Sequence, residues 1–274
     1  MERYSVTVKV VDRTLQLLEA LSADGSGAGV TRLAEELGDA PSTVHRLLAV
    51  LGRHRLVVQD PDSKRYRLGP GVLPLAESYL RHNTLIPVAQ PHLADLRSRT
   101  LESVFLTEYV NGDAICVATA ESPRQLRFFM HVGQRMPYHA AASARAILAF
   151  RPREEAEDHL RKEALERFTS MTPTTISEAM AELDKVRRDG FAACDQEMED
   201  DVTALSVPIR NAIGATVASL SIVAPEQRLA GDRRDAAVRL LRDEAEAISA
   251  ALGYRQPDAL GAGAAAGAVA GGAP

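Results

Sequence analysis

A short segment near the amino terminus carries hydroxyl, imidazole and guanidinium side chains at a helical spacing. At about 100° per residue, Ser42, Arg46 and Arg53 fall on one stripe of a helix, with Thr43 and His45 on its flanks. Arginine pairs bidentately with guanine in the major groove, and neighbouring polar groups bind phosphates or base edges. These residue types at this spacing predict recognition of double-stranded DNA, with Arg46 on a base and Arg53 on the backbone.

A second basic cluster follows, formed by Lys64, Arg65 and Arg67. Residues 56–59 and 65–68 are predicted to be strands, because a turn rich in aspartate and proline separates the two segments. A basic hairpin directly after a recognition helix is typical of the wing in a winged helix-turn-helix. The wing would hold its three cations where phosphates or the minor groove would run.

Residues with catalytic or metal-binding chemistry are present, but their spacing is not diagnostic. Cys194 with His139 or His131 could form a nucleophile–base pair, and Cys194 with Asp195 or Glu197 could bind a metal. The sequence contains no P-loop, no G-x-G-x-x-G and no H-E-x-x-H motif. We therefore expect no catalytic residue, no metal and no cofactor.

A helix-turn-helix unit must position the basic stripe. The opposite stripe of the predicted recognition helix is apolar and typical of a buried face, formed by Val44, Leu47, Leu48 and Leu51. Residues 31–37 are predicted to form the shorter partner helix, capped by Thr31 and ended by Gly38. Residues 10–21 predict a preceding helix whose buried face carries Val11, Leu15 and Leu18.

The composition is that of a globular protein with a locally basic end. The chain has 274 residues, of which 46% are hydrophobic and 25% charged, and its formal net charge is −5. Residues 1–83 hold slightly more basic than acidic groups, whereas the remainder is acidic. Such a charge distribution favours DNA binding confined to one end. Two cysteines, with no signal peptide and no membrane-spanning apolar stretch, predict a cytoplasmic protein without a membrane partner.

Several short motifs occur in one order between residues 6 and 254. They are VDRTLQLL (11–18), PSTVHRLL (41–48), YRLG (66–69), VG (132–133), YHA (138–140), RRDGF (187–191), VPI (207–209) and LG (252–253). In this set the chain resembles the IclR family of bacterial transcription regulators. One departure is Arg55, where such proteins usually carry glycine. A left-handed backbone there would cost arginine energy that glycine avoids.

The patterns and the resemblance together predict an α+β protein in four parts. We expect a winged helix-turn-helix domain over 1–69, a linker helix in 70–84, an effector-binding domain over 85–254 and a Gly/Ala-rich disordered tail over 255–274. The resemblance implies that the effector-binding domain is GAF-like.

Within the effector-binding domain, strands and helices are expected to alternate. The expected strands are 103–110, 114–119, 126–132, 191–194, 204–209 and 216–223. The expected helices are 93–99, 143–150, 154–168, a helix capped by Thr174 or Ser177 that runs to Arg188, and 232–252. The acidic run over 195–201 is interpreted as a solvated loop.

The resemblance also implies a small-molecule cavity between the sheet and the start of the 143–150 helix. Carried over by position, the effector-binding residues are Ala142, Ser143, Cys194, Ala204, Ser221 and Val223. Cys194 and Val223 replace more polar residues of relatives, so we expect a larger or more apolar effector, such as an aromatic acid or related catabolic intermediate. Its acceptor end would bind the Ser143 amide. The alternative is that Cys194, Ala204 and Val223 are ordinary core residues.

The sequence thus predicts a ligand-responsive transcription regulator, interpreted as a repressor. A single recognition helix covers only a half-site, so we expect a homodimer on a roughly palindromic operator, and the resemblance implies that a tetramer is also an option. The expected partners are double-stranded DNA, a small organic metabolite and further copies of the chain. Two alternatives stay open: a helix-turn-helix used only for protein contacts, and a small-molecule enzyme that uses Cys194 and His139.

Overall fold

The computed structural model describes residues 2–23, 26–126, 128 and 130–255. These residues form two compact units, which divide between Asn83 and Thr84. Each unit has its own hydrophobic core. Within the described ranges, no helix is both long enough and apolar enough to cross a bilayer. Apart from Arg255, the predicted tail lies outside the described residues.

The first unit combines helices with a two-stranded antiparallel ribbon. Its helices are α1 (Glu2–Ala23), α2 (Val30–Leu37), α3 (Pro41–Arg53) and α4 (Leu73–His82), and its strands are β1 (Val57–Gln59) and β2 (Tyr66–Leu68). A single 3-10 turn, Pro70–Val72, leads into α4. Helices α2 and α3 followed by the ribbon form the winged helix-turn-helix that the sequence predicts.

The predicted inward face of α1 is wrong for Val11 and Leu15, whereas Leu18 is partly buried against the core as predicted. Val11 and Leu15 are 55% and 54% exposed, whereas Leu17 and Leu21 are buried with the side chains of α2 and α3. Helix α1 carries apolar residues on more than one face, so periodicity alone could not identify the side that packs.

The predicted start of α2 is also wrong, although its end is confirmed. The helix begins at Val30 with Gly29 as its N-cap, and Thr31 lies inside the helix without capping it. Gly38 ends the helix in the left-handed conformation (φ 65°), as expected of a glycine after the last turn.

The second unit is an α+β domain built on one antiparallel sheet. The strands are β3 (Ser103–Val110), β4 (Asp113–Ala120), β5 (Ala192–Asp195), β6 (Val202–Arg210) and β7 (Thr216–Pro225), in the spatial order β4-β3-β7-β6-β5. The helices are α5 (Leu85–Thr100), α6 (Ala142–Leu148), α7 (Arg153–Lys162), α8 (Ile176–Asp189) and α9 (Asp232–Ala251).

Helices cover both faces of this sheet. Helices α5 and α9 pack with strand residues such as Leu106 and Leu220 in one core. Helices α6, α7 and α8 pack in a second core with Ala192 and Cys194 of β5. The Thr175 hydroxyl and the Glu178 side chain form a capping box at the start of α8, so Thr175 is the cap where Thr174 or Ser177 was expected.

Three predicted elements of the second unit differ from the structure. No strand is present among the described residues of 126–132. Helix α7 ends at Lys162, well before residue 168. Helix α5 begins at Leu85 and includes Pro87 and Pro91. Pro87 lies in the first turn, where backbone N–H groups lack intrahelical partners, so this proline removes no hydrogen bond.

Candidate DNA-binding surface and effector cavity

Helix α3 presents a largely polar outer face because Val44 and its leucines turn inward, although Val50 stays 40% exposed. Pro41 starts the helix, where its fixed φ fits and its missing N–H removes no hydrogen bond. Val44, Leu48 and Leu51 are buried and Leu47 is half-buried. Each buried leucine of this kind stabilises the unit by about 1.5–3 kcal/mol, so the orientation of the helix is firmly set.

The predicted DNA-binding residues of α3 lie on its exposed side. Ser42, His45, Arg46 and Arg53 are exposed, and Thr43 is half-buried. Within the described residues, the guanidinium groups of Arg46 and Arg53 make no hydrogen bond or ion pair, so their donors face outward. An exposed, unpaired guanidinium can pair with guanine or phosphate without first breaking a protein contact.

The link between α3 and the wing depends on Arg55. Its backbone is left-handed (φ 60°), which is the geometry that glycine adopts without steric cost. The amide of Leu56 then reaches the carbonyl of Leu51 at 3.0 Å, and the Arg55 carbonyl accepts the amide of Gly71 at 2.8 Å. The arginine therefore adopts the left-handed backbone that glycine would adopt here at lower cost.

The wing turn is held by Asp60. Its Oδ1 accepts the amides of Asp62 at 3.1 Å and Ser63 at 2.8 Å, together with the Ser63 hydroxyl at 2.9 Å. The hydrogen bonds from Ser63 are the main reason that the pKa of Asp60 is lowered. The carboxylate thus stays charged and keeps the turn closed at neutral pH.

The three basic side chains of the wing differ in the hydrogen bonds that they make within the protein. Arg65 donates from Nε to the Gly27 carbonyl at 2.8 Å and also reaches the Ser26 hydroxyl, so it ties the wing to its own domain. Lys64 donates from Nζ to the Pro61 carbonyl at 2.7 Å. Arg67 is exposed on β2, and its side chain makes no hydrogen bond in the described residues. Of the three, Arg67 is therefore the most available to a phosphate.

The second unit contains a mostly apolar cavity of about 460 Å³. It opens where β5, β6 and β7 meet the start of α6. Its apolar side chains are Phe105, Leu126, Phe128, Met130, Met136, Ala141, Ala142, Met198, Val202, Ala204 and Val223, and its polar ones are Gln134, Ser143, Cys194 and Glu199. This volume is in the range of small-molecule sites, and it exceeds the roughly 150 Å³ that is enough for benzene, so a substituted ring has room in it.

Five of the six predicted effector-binding residues line this cavity: Ala142, Ser143, Cys194, Ala204 and Val223. Ser221 does not line it. Its hydroxyl shares a hydrogen bond of 2.5 Å with the Ser206 hydroxyl of the neighbouring strand, and both side chains are fully buried. Ser221 therefore satisfies its own polar group inside the sheet and is not among the lining residues, and its role as an effector contact stays a prediction.

Ser143 is the polar residue that stands out in the cavity wall. It is buried, and within the described residues its hydroxyl has no hydrogen-bond partner. Its carbonyl accepts a hydrogen bond from the Ser219 hydroxyl at 2.9 Å, which fixes the residue against β7. A buried hydroxyl without a partner costs about 1–3 kcal/mol, so a ligand acceptor placed beside it would recover that energy.

A buried ion pair supports the wall behind Ser143. The guanidinium of Arg145 lies in α6 with a side chain 1% exposed, and its Nη1 donates to Glu197 Oε1 at 2.9 Å. Its Nη2 donates to Glu197 Oε2 and to the His139 carbonyl. Burial raises the pKa of Glu197, although Arg145 opposes that shift. Glu197 was predicted to lie in a solvated acidic loop, and that prediction is wrong.

A second buried carboxylate, Glu163, holds the loop before α6. Its oxygens accept the amides of Tyr138 at 3.0 Å and His139 at 3.3 Å, and the His139 ring at 3.2 Å. Burial opposes the charge on His139, but the hydrogen bonds to Glu163 and the Glu166 carbonyl outweigh it and raise the pKa of the imidazole. Glu163 was expected on an exposed helix, and it is instead a structural anchor.

The structure does not assemble a Cys194–His139 pair. Both ring nitrogens of His139 are within hydrogen-bond distance of Glu163 and Glu166, and the ring stacks on Phe168. Burial raises the pKa of the Cys194 thiol to about 11, so the thiol stays protonated at neutral pH. Across the described residues, no group of three His, Cys, Asp or Glu side chains could hold a metal ion.

The sequence did not identify the residues that make the cavity wall apolar, notably Phe105, Met130, Met136 and Met198. Phe105 lies beside Ser221 in the β3–β7 register, on the strand face that the serine marks, so alternation along β3 could have identified it. Met130 and Met136 lie in an irregular segment with no periodicity to read.

Comparison with known proteins agrees with both units. Residues 10–61 match the IclR helix-turn-helix domain, and residues 77–250 match the bacterial transcriptional regulator IclR C-terminal domain. The HTH-type transcriptional regulator BhcR of Paracoccus denitrificans is 30% identical, over 91% of this chain and 89% of its own. The HTH-type transcriptional repressor AllR of Salmonella typhi is 28% identical, over 91% of this chain and 92% of its own.

A solved structure extends the comparison to a bound ligand. An IclR homolog from Microbacterium hydrocarbonoxydans, complexed with 4-hydroxybenzoate, is 25% identical, with a TM-score of 0.74 over 89% of this chain and 98% of its own. The family match covers well over half of the sequence. This chain therefore belongs to the IclR family of ligand-responsive bacterial transcription regulators.

Proposed function

We propose that this regulator is a repressor that reads a roughly palindromic operator with α3 and its wing. The exposed, unpaired guanidinium of Arg46 carries the assignment, because it lies mid-helix between Ser42 and Arg53 on the face away from the core. Thr43 and His45 flank it, and Arg53, Lys64, Arg65 and Arg67 supply the phosphate contacts. In this scheme Arg65 must exchange its Gly27 contact for DNA, so its contribution is the smallest of the four.

The proposed DNA-binding form is a homodimer, with a dimer of dimers as the larger option. Exposed apolar side chains support it: Val10, Val11 and Leu15 on α1, and Leu73, Leu75, Tyr79 and Leu80 on α4. These residues follow helical spacing, and apolar helix faces of this kind usually mark contacts between proteins. Two recognition helices would then read half-sites about one helical turn apart, or a multiple of it.

The proposed effector is an aromatic acid or a related catabolic acid. The cavity supports this class, because its phenylalanine, methionine and valine side chains suit a ring and its buried Ser143 hydroxyl suits a carboxylate. In this proposal the amides of Ala142 and Ser143, at the start of α6, are further donors to the carboxylate. The related protein that binds 4-hydroxybenzoate makes that acid the first probe to use.

In this proposal the protein has no catalytic activity and acts in the cytoplasm, where its operator is. Its relatives are named as transcription regulators, and its buried thiol and fully engaged histidine do not form a nucleophile–base pair. An effector changes DNA binding only if it binds one arrangement of the protein better than the other. The effector site must therefore be tested together with DNA release.

Thermal unfolding with candidate acids tests the effector assignment. We expect 4-hydroxybenzoate and benzoate to raise the unfolding temperature and to release the protein from an operator selected from random DNA. Glyoxylate and pyruvate should do neither, because small polar acids leave the apolar wall unfilled. If only these two- or three-carbon oxoacids stabilised the protein, the assignment of an aromatic acid as the effector would be rejected.

A matched pair of variants locates the ligand. Ser143→Ala should weaken 4-hydroxybenzoate binding about tenfold without lowering the unfolding temperature of the free protein, because the hydroxyl has no protein partner to lose. Ser177→Ala, at an exposed position of α8, should leave binding unchanged. Equal affinities of the two variants would place the acid elsewhere.

A further inference from the structure

A second cleft, of about 490 Å³, lies at the opposite end of β6 from the effector cavity. Val202 and Ala204 of β6 line the effector cavity, whereas Val207, Pro208 and Arg210 of the same strand line this cleft. Strand β5 pairs with β6 only up to Ala192 opposite Ser206, so the last residues of β6 form a free edge that faces the cleft. Arg210 is six positions beyond Ala204, which in a strand is about 20 Å. The two sites are therefore distinct.

The cleft is basic although the chain as a whole is acidic. Three arginines border it, Arg187, Arg210 and Arg242, against a single carboxylate, Glu246. Arg187 is neutralised by Asp184, to which its Nη1 donates at 2.6 Å. Arg242 donates only to a neutral group, the Asp189 carbonyl, at 2.6 Å. Neither Arg242 nor Arg210 forms an ion pair among the described residues, so with Glu246 as the one carboxylate the cleft keeps a net positive charge.

Arg210 is held in place without using its hydrogen-bond donors. Its guanidinium carbon lies 5.1 Å from the Phe150 ring centroid and 5.7 Å from that of Tyr254, within the range of cation–π attraction. In the part of the chain that the structure describes, neither this guanidinium nor the Tyr254 hydroxyl makes a hydrogen bond. Ser249 is not available to either, because its hydroxyl donates to the Ala245 carbonyl and accepts the Arg210 amide.

From this geometry we propose that the cleft is a second ligand site, specific for a small multivalent anion with carboxylate or phosphate groups. Arg210 is the principal contact, because its oriented planar fork matches both groups bidentately. Arg242 adds a second cation and Tyr254 a hydroxyl donor. A guanidinium already oriented by two aromatic side chains loses little conformational freedom on binding, which favours a defined site over diffuse charge attraction.

Calorimetric titration at constant ionic strength tests the site, with citrate and inorganic phosphate as separate probes. These probes are too polar for the apolar effector cavity. We expect at least one of them to bind the full-length protein, and the preferred probe tells whether the site takes carboxylates or phosphates. Arg210→Gln should weaken that binding at least about tenfold. Arg239→Gln removes an exposed arginine of the same helix that carries Arg242, away from the cleft, and should change binding less than about twofold.

Two further measurements test whether the Arg210 variant keeps its fold and whether the anion binds outside the effector cavity. The unfolding temperature of Arg210→Gln without a probe should match that of the unaltered protein, and saturating 4-hydroxybenzoate should not displace the bound anion. Failure of both probes to bind would overturn the proposal, as would equal losses in the Arg210 and Arg239 variants. Displacement by 4-hydroxybenzoate would instead place the anion in the effector cavity and also overturn it.

Discussion

The surface of α3 and the cavity of the second unit are suited to binding by opposite physical means. Arg46 and Arg53 of α3 are exposed and unpaired, and they come from one short stretch of chain. Ser143 and Met136 of the cavity are buried and meet side chains from strands far along the sequence. A duplex can approach an open, charged helix, whereas a small acid gains affinity only when apolar walls enclose it. The first site therefore depends on charge, and the second on the groups that hold its walls.

The largest expected effect concerns the support of the cavity. Glu197→Ala leaves the buried guanidinium of Arg145 without its carboxylate, so the free energy of unfolding should fall by about 3–5 kcal/mol. Glu199→Ala, an exposed neighbour in the same loop, should change it by no more than about 0.5 kcal/mol. Urea unfolding of both variants measures the difference. Similar losses in both would mean that the buried pair does not support the wall.

A smaller effect, of opposite sign, is expected beside the DNA-binding helix. Arg55→Gly places glycine in a left-handed backbone, so it should raise the free energy of unfolding by up to about 1 kcal/mol. Ala49→Gly, on the exposed side of α3, should lower it by about 1 kcal/mol. Denaturant titration of the two variants checks the signs. Destabilisation by Arg55→Gly would show that the arginine side chain contributes more than its backbone costs.

The smallest effect is a pH dependence near the cavity. The pKa of His139 is raised in the folded protein, so its protonation stabilises the fold below its ordinary pKa of 6.5, and this contribution is lost as the pH rises through the folded value. The stability difference between the unaltered protein and His139→Gln should therefore be larger at about pH 5 than at about pH 9. Urea unfolding at both values measures it. A difference that grew with pH would show that burial dominates over the bond to Glu163.

The sequence predicts the DNA-binding helix better than the cavity, because the helix depends on neighbouring residues and the cavity on residues far apart in the chain. The buried stripe of α3, the left-handed Gly38 and the wing follow from neighbouring residues, so periodicity and turn chemistry were sufficient. The inward turn of Glu163 and the burial of Glu197 depend on His139 and Arg145, whose contacts with them span many residues. No local pattern distinguishes such carboxylates from solvated ones. The same limit applies to Met130 and Met136, which line the cavity from an irregular segment.

A gel-shift titration of Arg46→Ala tests the central claim most directly, with an operator selected from random DNA and Arg161→Ala, an exposed arginine of α7, as the control. Loss of one bidentate base contact should weaken operator binding by about 1–3 kcal/mol and leave non-specific binding nearly unchanged. The control should bind like the unaltered protein. Operator binding by Arg46→Ala that equals the control would contradict the assignment of α3 as the recognition helix.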